Sequence, residues 1–244
     1  MANPVLTRSL NNETSYEVSQ SGIEIPHVGA ARMTLEGTIN RSISLFGLLA
    51  ISAAFTWVFN LTALALPAAL IGFGLAMWAS FSKTVRPAVM MAYAVVEGVF
   101  IGGISSIFES FYPGIVMQAV TATLATAGVI FVAYKQKWVR VSNKTRKIFS
   151  FALMGYMAFA LINFGVSMFT GNSAYGTSFG WAIALVGVGL ASFTLVIDLN
   201  DVESAIRNGQ PVENEWRAAF GLMVTMVWMY IEILRLLAIL RGDD

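Results

Sequence analysis

Four ionisable side chains stand inside stretches of sequence that are otherwise almost free of charge: Glu97, Asp198, Glu232 and Arg235. A charge at the centre of a bilayer costs about 2.5–3.5 kcal/mol on insertion scales, so such groups are kept beside a partner, a cavity or an ion path. Carboxylates supply the oxygen ligands that hard cations favour, and a carboxyl group also exchanges protons. The chemistry open to these residues is therefore the handling of ions or protons. Glu232 and Arg235 lie three residues apart, so on a helix they share a face and can form a structural ion pair instead. The long arm of Arg235 can also reach out towards the membrane surface. Asp198 has Asp201 and Glu203 close behind it, making either an acidic mouth on a basic face or a solvated helix end.

Other chemistries lack their residues. With no cysteine in 244 residues there is no thiolate nucleophile, disulfide or sulfur-ligated metal. The single histidine, His27, precedes the first apolar stretch, which leaves no Ser–His dyad, zinc motif or haem ligand within the spans. All five lysines fall between apolar stretches, so no Schiff base can form inside a bundle. No glycine-rich phosphate loop opens a helix, and one aspartate near a span is too few for aspartyl proteolysis. The expectation is a protein that is not an enzyme and carries neither cofactor nor resident metal. Nucleic acid is not an expected partner. The basic segment 135–147, with Tyr134 and Trp138 beside it, reads as a contact with anionic lipid and a topology signal.

The elements that position these residues follow from composition. The chain is 57% hydrophobic and 12% charged, about half the charge of an ordinary soluble domain. Seven apolar stretches, 42–59, 62–81, 88–108, 115–134, 148–170, 179–198 and 218–240, each approach the roughly 20 residues a helix needs to cross the hydrocarbon. Strands are excluded, because an open sheet edge cannot be satisfied in lipid. The fold class is thus an all-α, seven-transmembrane helical bundle over 42–244, preceded by a polar, largely disordered tail over 1–41. Residues 33–41, with Thr34 as a cap, suggest a short interfacial helix. The first span begins too far from Met1 for a secretory signal and is expected to direct insertion itself. The first two stretches are nearly continuous, and the reading places a tight turn near Asn60 and a kink at Pro67. Gly98-x-x-x-Gly102 on span three and Gly187-x-x-x-Ala191 on span six are steps that let helices approach closely.

Lys and Arg gather in the tail and after spans two, four and six, while the alternate loops have none; Arg235 and Arg241 alone break the pattern. The positive-inside rule then puts the N-terminus in the cytoplasm and the C-terminus outside. From the rise per residue, Glu97 lies about 14 Å and Glu232 about 21 Å into the membrane. These depths let Glu97, Glu232 and Arg235 meet, with Asp198 left near the cytoplasmic boundary.

The segment Val196-Ile-Asp198-Leu-Asn-Asp-Val202 resembles the aspartate-bearing end of the sixth helix in the Bax inhibitor-1 family. Tyr93-Ala-Val-Val-Glu97-Gly98-Val-Phe-Ile-Gly102 is similar to that family's third-helix motif, and Ile233-Leu-Arg235-Leu-Leu-Ala-Ile-Leu240 to the close of its seventh. The resemblance runs from about residue 34 to the C-terminus and suggests the bacterial branch, in the plasma membrane. It implies a pH-sensitive passage for calcium ions or protons, or exchange of one for the other, gated by two carboxylates of helices six and seven. Asp198 matches the helix-six acid. Counting back from Arg235, the helix-seven acid falls on Thr225, and Glu232 is the nearest acid two turns along. The leading expectation is a passive pH-modulated cation leak through Asp198, Glu232 and Glu97. The alternatives are a non-transporting stress regulator that contacts another membrane protein, such as a quality-control protease, and a transporter of small organic solutes.

Overall fold

The computed structural model describes residues 31–139 and 141–242. The expectations for the tail before residue 31, including His27 and Arg8, and for Arg140 lie outside the described residues.

Thr34 starts the first helix. Its hydroxyl accepts the Gly37 N–H at 2.9 Å, satisfying one of the backbone donors that a helix start leaves orphaned. From there α1 (Leu35–Val58) runs unbroken, so residues 35–41 are the opening turns of the first span and not a separate interfacial helix. The expected turn is present: Asn60 has φ 56°, a left-handed conformation that asparagine tolerates better than most residues. One 3₁₀ turn (Thr62–Leu64) leads into α2 (Ala65–Phe81). Pro67 sits in the first turn of α2, where a proline costs no helical hydrogen bond, so it opens the helix and the anticipated kink does not arise.

The remaining spans are α3 (Pro87–Phe111), α4 (Ile115–Lys135), α5 (Asn143–Thr170), α6 (Gly180–Arg207) and α7 (Asn214–Gly242). Seven helices among the described residues are long and apolar enough to cross a membrane, and the protein is a multi-pass membrane protein. Besides α1, which starts at 35 where 42 was expected, three of them outrun the apolar stretches by four residues or more at one end. α5 starts at 143 where 148 was expected, α6 ends at 207 where 198 was expected, and α7 starts at 214 where 218 was expected. Hydropathy registers only the lipid-facing length, whereas backbone hydrogen bonding continues through polar turns that pair with one another.

Those polar turns share one end of the bundle. Arg41 near the start of α1 meets Glu215 at the start of α7. Arg217 donates to the carbonyl of Ser82 after α2, Tyr134 near the end of α4 donates to Glu203 of α6, and Arg146 of α5 grips Asp201 of α6 at 2.8 and 2.5 Å. We call this the basic end. At the opposite end Arg241 donates to the Pro113 carbonyl after α3. The helices therefore alternate in direction as the charge pattern requires.

α3 and α7 form the middle of the bundle, each half buried. α1 and α2 pack on α3; α1, α4 and α6 pack on α7. The α1–α3 seam explains both glycines of the span-three step. A Cβ on Gly98 would stand 2.3 Å from the Leu49 carbonyl oxygen, and one on Gly102 2.4 Å from that of Ala53. Dispersion contacts at such short separation hold helices together in lipid, where apolar surfaces gain little by leaving an equally apolar solvent. α5 is peripheral. It packs chiefly on α6, buries Tyr156 alone, and presents Phe151, Leu161, Phe164 and Phe169 outward.

Candidate functional site

Two cavities enter the bundle from opposite ends, one along the α6–α7 seam and the other between α5, the α5–α6 loop, α7 and the end of α3. The cavity at the basic end holds about 490 Å³ and reaches Asp198, with Asp201, Asn214, Arg217 and Met33 among its walls. Asp198 is nine residues short of the end of α6, so it lies about 13 Å in from that terminus. The expectation that the helix ends at Asp198 is corrected: α6 carries on past it to Arg207. Thr225 is eleven residues into α7, about 16 Å by the same rise. The two depths match, and the Thr225 hydroxyl donates to Asp198 Oδ2 at 2.5 Å. At the position where the family resemblance implies a second carboxyl group, this chain supplies a hydroxyl that binds the first.

Asp201 also opens onto this cavity but is taken up by Arg146, and Glu203 by Tyr134. The acidic mouth of the sequence reading is thus a set of paired groups in which Asp198 has a hydroxyl partner and no bound cationic side chain among the described residues.

The opposite cavity holds about 750 Å³ between α5, α7 and the α5–α6 loop, with Arg235, Tyr175, Asn163 and Tyr112 on its walls. Behind it is the expected ion pair. Arg235 donates to Glu232 Oε2 at 2.9 Å, and the Trp228 indole N–H donates to Oε1 at 3.0 Å. The guanidinium lies over the Tyr175 ring, 4.3 Å from its centroid, a favourable cation–π placement. Glu232 is 3% exposed and Arg235 29%, so the acid is sealed and the base faces the cavity. Space for the acid comes from Gly187, where a Cβ would stand 2.6 Å from Glu232 Oε2 and 2.4 Å from the Tyr156 hydroxyl. The Tyr156 and Tyr175 hydroxyls are 3.1 Å apart, which ties α5 and its loop to this network.

Between the cavities the seam is shut. Gly187 stands opposite Glu232 and Asp198 opposite Thr225, so the α6 residues in between face the α7 turns from 225 to 232. Leu195, Ala191 and Met229 occupy that stretch with no exposed surface. It covers about 10 Å of α7.

Glu97 is elsewhere. It is 8% exposed and points at α2, where a Cβ on Gly72 would be 3.1 Å from its Oε2. Among the described residues neither Lys nor Arg comes within ion-pair distance of it. The expected meeting of Glu97 with Glu232 and Arg235 does not form. Rise per residue gives height along a helix, while the side of the helix that faces a neighbour is set by packing: α3 turns Glu97 to α2, and α7 turns Glu232 to α6.

Sequence reasoning missed Glu215. It is 2% exposed and accepts from both the N–H and the hydroxyl of Thr34 at 2.9 Å, with Arg41 Nε 3.2 Å away. It sits outside the apolar stretches, where a glutamate reads as an ordinary solvated residue, and nothing in its local sequence signals burial. Trp228, Tyr156 and Tyr175 were passed over for a similar reason, since aromatic residues in a membrane chain are common.

Compared with known proteins, the chain matches the family described as Bax inhibitor 1 like over residues 3–242. No curated protein matches it.

Proposed function

The chain belongs to the Bax inhibitor 1 like family, and on that premise we propose that it is a passive, pH-modulated leak for cations, calcium ions or protons, captured with its path closed. The observation that carries the reading is Asp198: an acid at the floor of a cavity, about 13 Å inside the bundle, held across the α6–α7 seam by Thr225. An ionised Asp198 draws cations into the basic-end cavity and gives them an oxygen ligand. Protonation removes that charge and the carboxylate acceptor of the Thr225 hydrogen bond together. Passage then needs α6 and α7 to part over the closed stretch of Leu195, Ala191 and Met229, beyond which Arg235, pinned by Glu232, stands as a positive barrier.

In this reading the N-terminus is cytoplasmic, the membrane is the bacterial plasma membrane, no catalysis occurs, and the partners are the bilayer and the transported ion. Glu97, away from both cavities, has no role in the path.

The test is flux from liposomes holding the purified chain and a calcium indicator, across pH 6 to 8. Flux is expected to fall as pH falls, because the cavity loses its charge, and Asp198→Asn is expected to remove the pH dependence. Wild-type pH-dependent flux in Asp198→Asn contradicts the assignment. For the regulator reading, the outward face of α5 is the surface a partner helix would take. Gly98 and Gly102 are already spent on α1, so a partner would not be lost through them.

A further inference from the structure

Glu215, 2% exposed, is the most enclosed charged group among the described residues and has no part in the leak as described. Burying a carboxylate is costly unless it is paired and hydrogen-bonded, and here every contact it makes is directed at one short segment. Thr34 gives it two donors, backbone N–H and hydroxyl, both on Oε1 at 2.9 Å. Arg41, about two turns further along α1, approaches Oε2 at 3.2 Å and lies 5.5 Å from the centroid of the Trp216 ring. A Cβ on Gly37 would sit 2.1 Å from Oε1, so the first turn of α1 is shaped around this carboxylate.

The segment so held is a strap. Ahead of Thr34, the Met33 N–H donates to the Gln210 carbonyl at 2.8 Å, and the Val212 N–H donates to the Ala31 carbonyl at 2.9 Å. Arg32 and Pro211 thus form an antiparallel bridge. Gly209, with φ 63°, supplies the left-handed turn that brings the α6–α7 connection alongside. Met33, 3% exposed, is pressed inward and is part of the wall of the cavity that leads to Asp198.

We infer that Glu215 is a positioning residue for the Asp198 cavity: by clamping Thr34 it holds the strap Ala31–Thr34 in place as a wall and so sets how freely the cavity is reached from the basic end. This rests on the reading that Asp198 exchanges with the solution through that cavity. It adds that the N-terminal strap, and any force on the segment before it, acts on access to Asp198.

Because the chain has no cysteine, single reporters can be placed cleanly. Gly221 borders the cavity one turn before Thr225, and a Cβ there meets nothing within 4 Å, so Gly221→Cys fits. Ser167→Cys reports on the opposite cavity. Each is reacted, in the full chain in liposomes, with a charged thiol reagent that does not cross membranes, in the background of Glu215→Gln and, separately, of Thr34→Val. Loss of a charge-assisted contact predicts modification at position 221 about tenfold faster in both backgrounds, with position 167 unchanged. Unchanged rates at 221 overturn the inference. Equal acceleration at 221 and 167 overturns it too, because that is general loosening. Thiol labelling does not depend on ion flux, so the leak can fail its own test while this result stands.

Discussion

The two acids of the α6–α7 seam are held in opposite ways, and single substitutions separate them. Glu232 has a guanidinium and an indole N–H on its two oxygens, whereas Asp198 has one hydroxyl. Removing one member of a buried ion pair costs about 3–5 kcal/mol, mostly from the charge left behind. Arg235→Leu strands the sealed Glu232, while Glu232→Leu strands an Arg235 that already faces a cavity. The first is therefore expected to lower the thermal midpoint in detergent more than the second, and the double substitution to recover most of the loss. Equal losses that simply add would show that the pair is not coupled. At the other acid, Thr225→Val leaves Asp198 without its partner and is expected to cost about 1.5–3 kcal/mol when Asp198 is ionised. Its destabilisation should then be larger at pH 8 than at pH 6, measured by the same melts.

Whole helices differ in how firmly they are seated. α1 and α3 approach so closely that their glycines have no substitute: Gly102→Ala puts a methyl 2.4 Å from the Ala53 carbonyl oxygen. Overpacking of this kind costs about 1–3 kcal/mol. Gly128 on α4 has nothing within 4 Å of an added Cβ, so Gly128→Ala is expected to be neutral or to stabilise by up to about 1 kcal/mol through helix propensity. Comparing the two melts tests whether the seam or the glycine itself matters. α5 is the reverse case. Its grip on the bundle is the Arg146–Asp201 pair at one end, the Phe149–Phe193 stack at 3.6 Å, and the Tyr156–Tyr175 contact at its middle. Arg146→Ala should speed amide exchange in the first turns of α5 well above that in α3, and uniform exchange would show that the pair is not a tether.

At the scale of the molecule, the bundle has a basic end and an end poor in charge, with a cavity running in from each. The loop cations predict its sidedness. With Lys137→Cys and Ser110→Cys as single thiols, an impermeant reagent added outside intact cells should label position 110 and spare position 137. The reverse pattern would place the basic end and the Asp198 cavity outside and overturn the cytoplasmic N-terminus. On α7 the cavity walls reach Gly221 from one end and Arg235 from the other, about 21 Å apart along the helix, so joining them requires α6 and α7 to part over that length.

Sequence alone determined the count and alternation of the helices, because ~20 apolar residues between charged loops have no other stable arrangement in lipid. It also determined the Glu232–Arg235 pair, which one helix turn brings together without help from any other element. What only the tertiary structure decided was every meeting between helices: Asp198 with Thr225, Glu97 with α2 instead of α7, and Glu215 with Thr34. Hydropathy carries the height of a residue in the membrane but not its bearing around the helix axis. That bearing is fixed by which backbones can approach, at Gly98 and Gly102, and by the room Gly187 leaves for the Glu232 side chain, and those contacts join residues far apart in the chain.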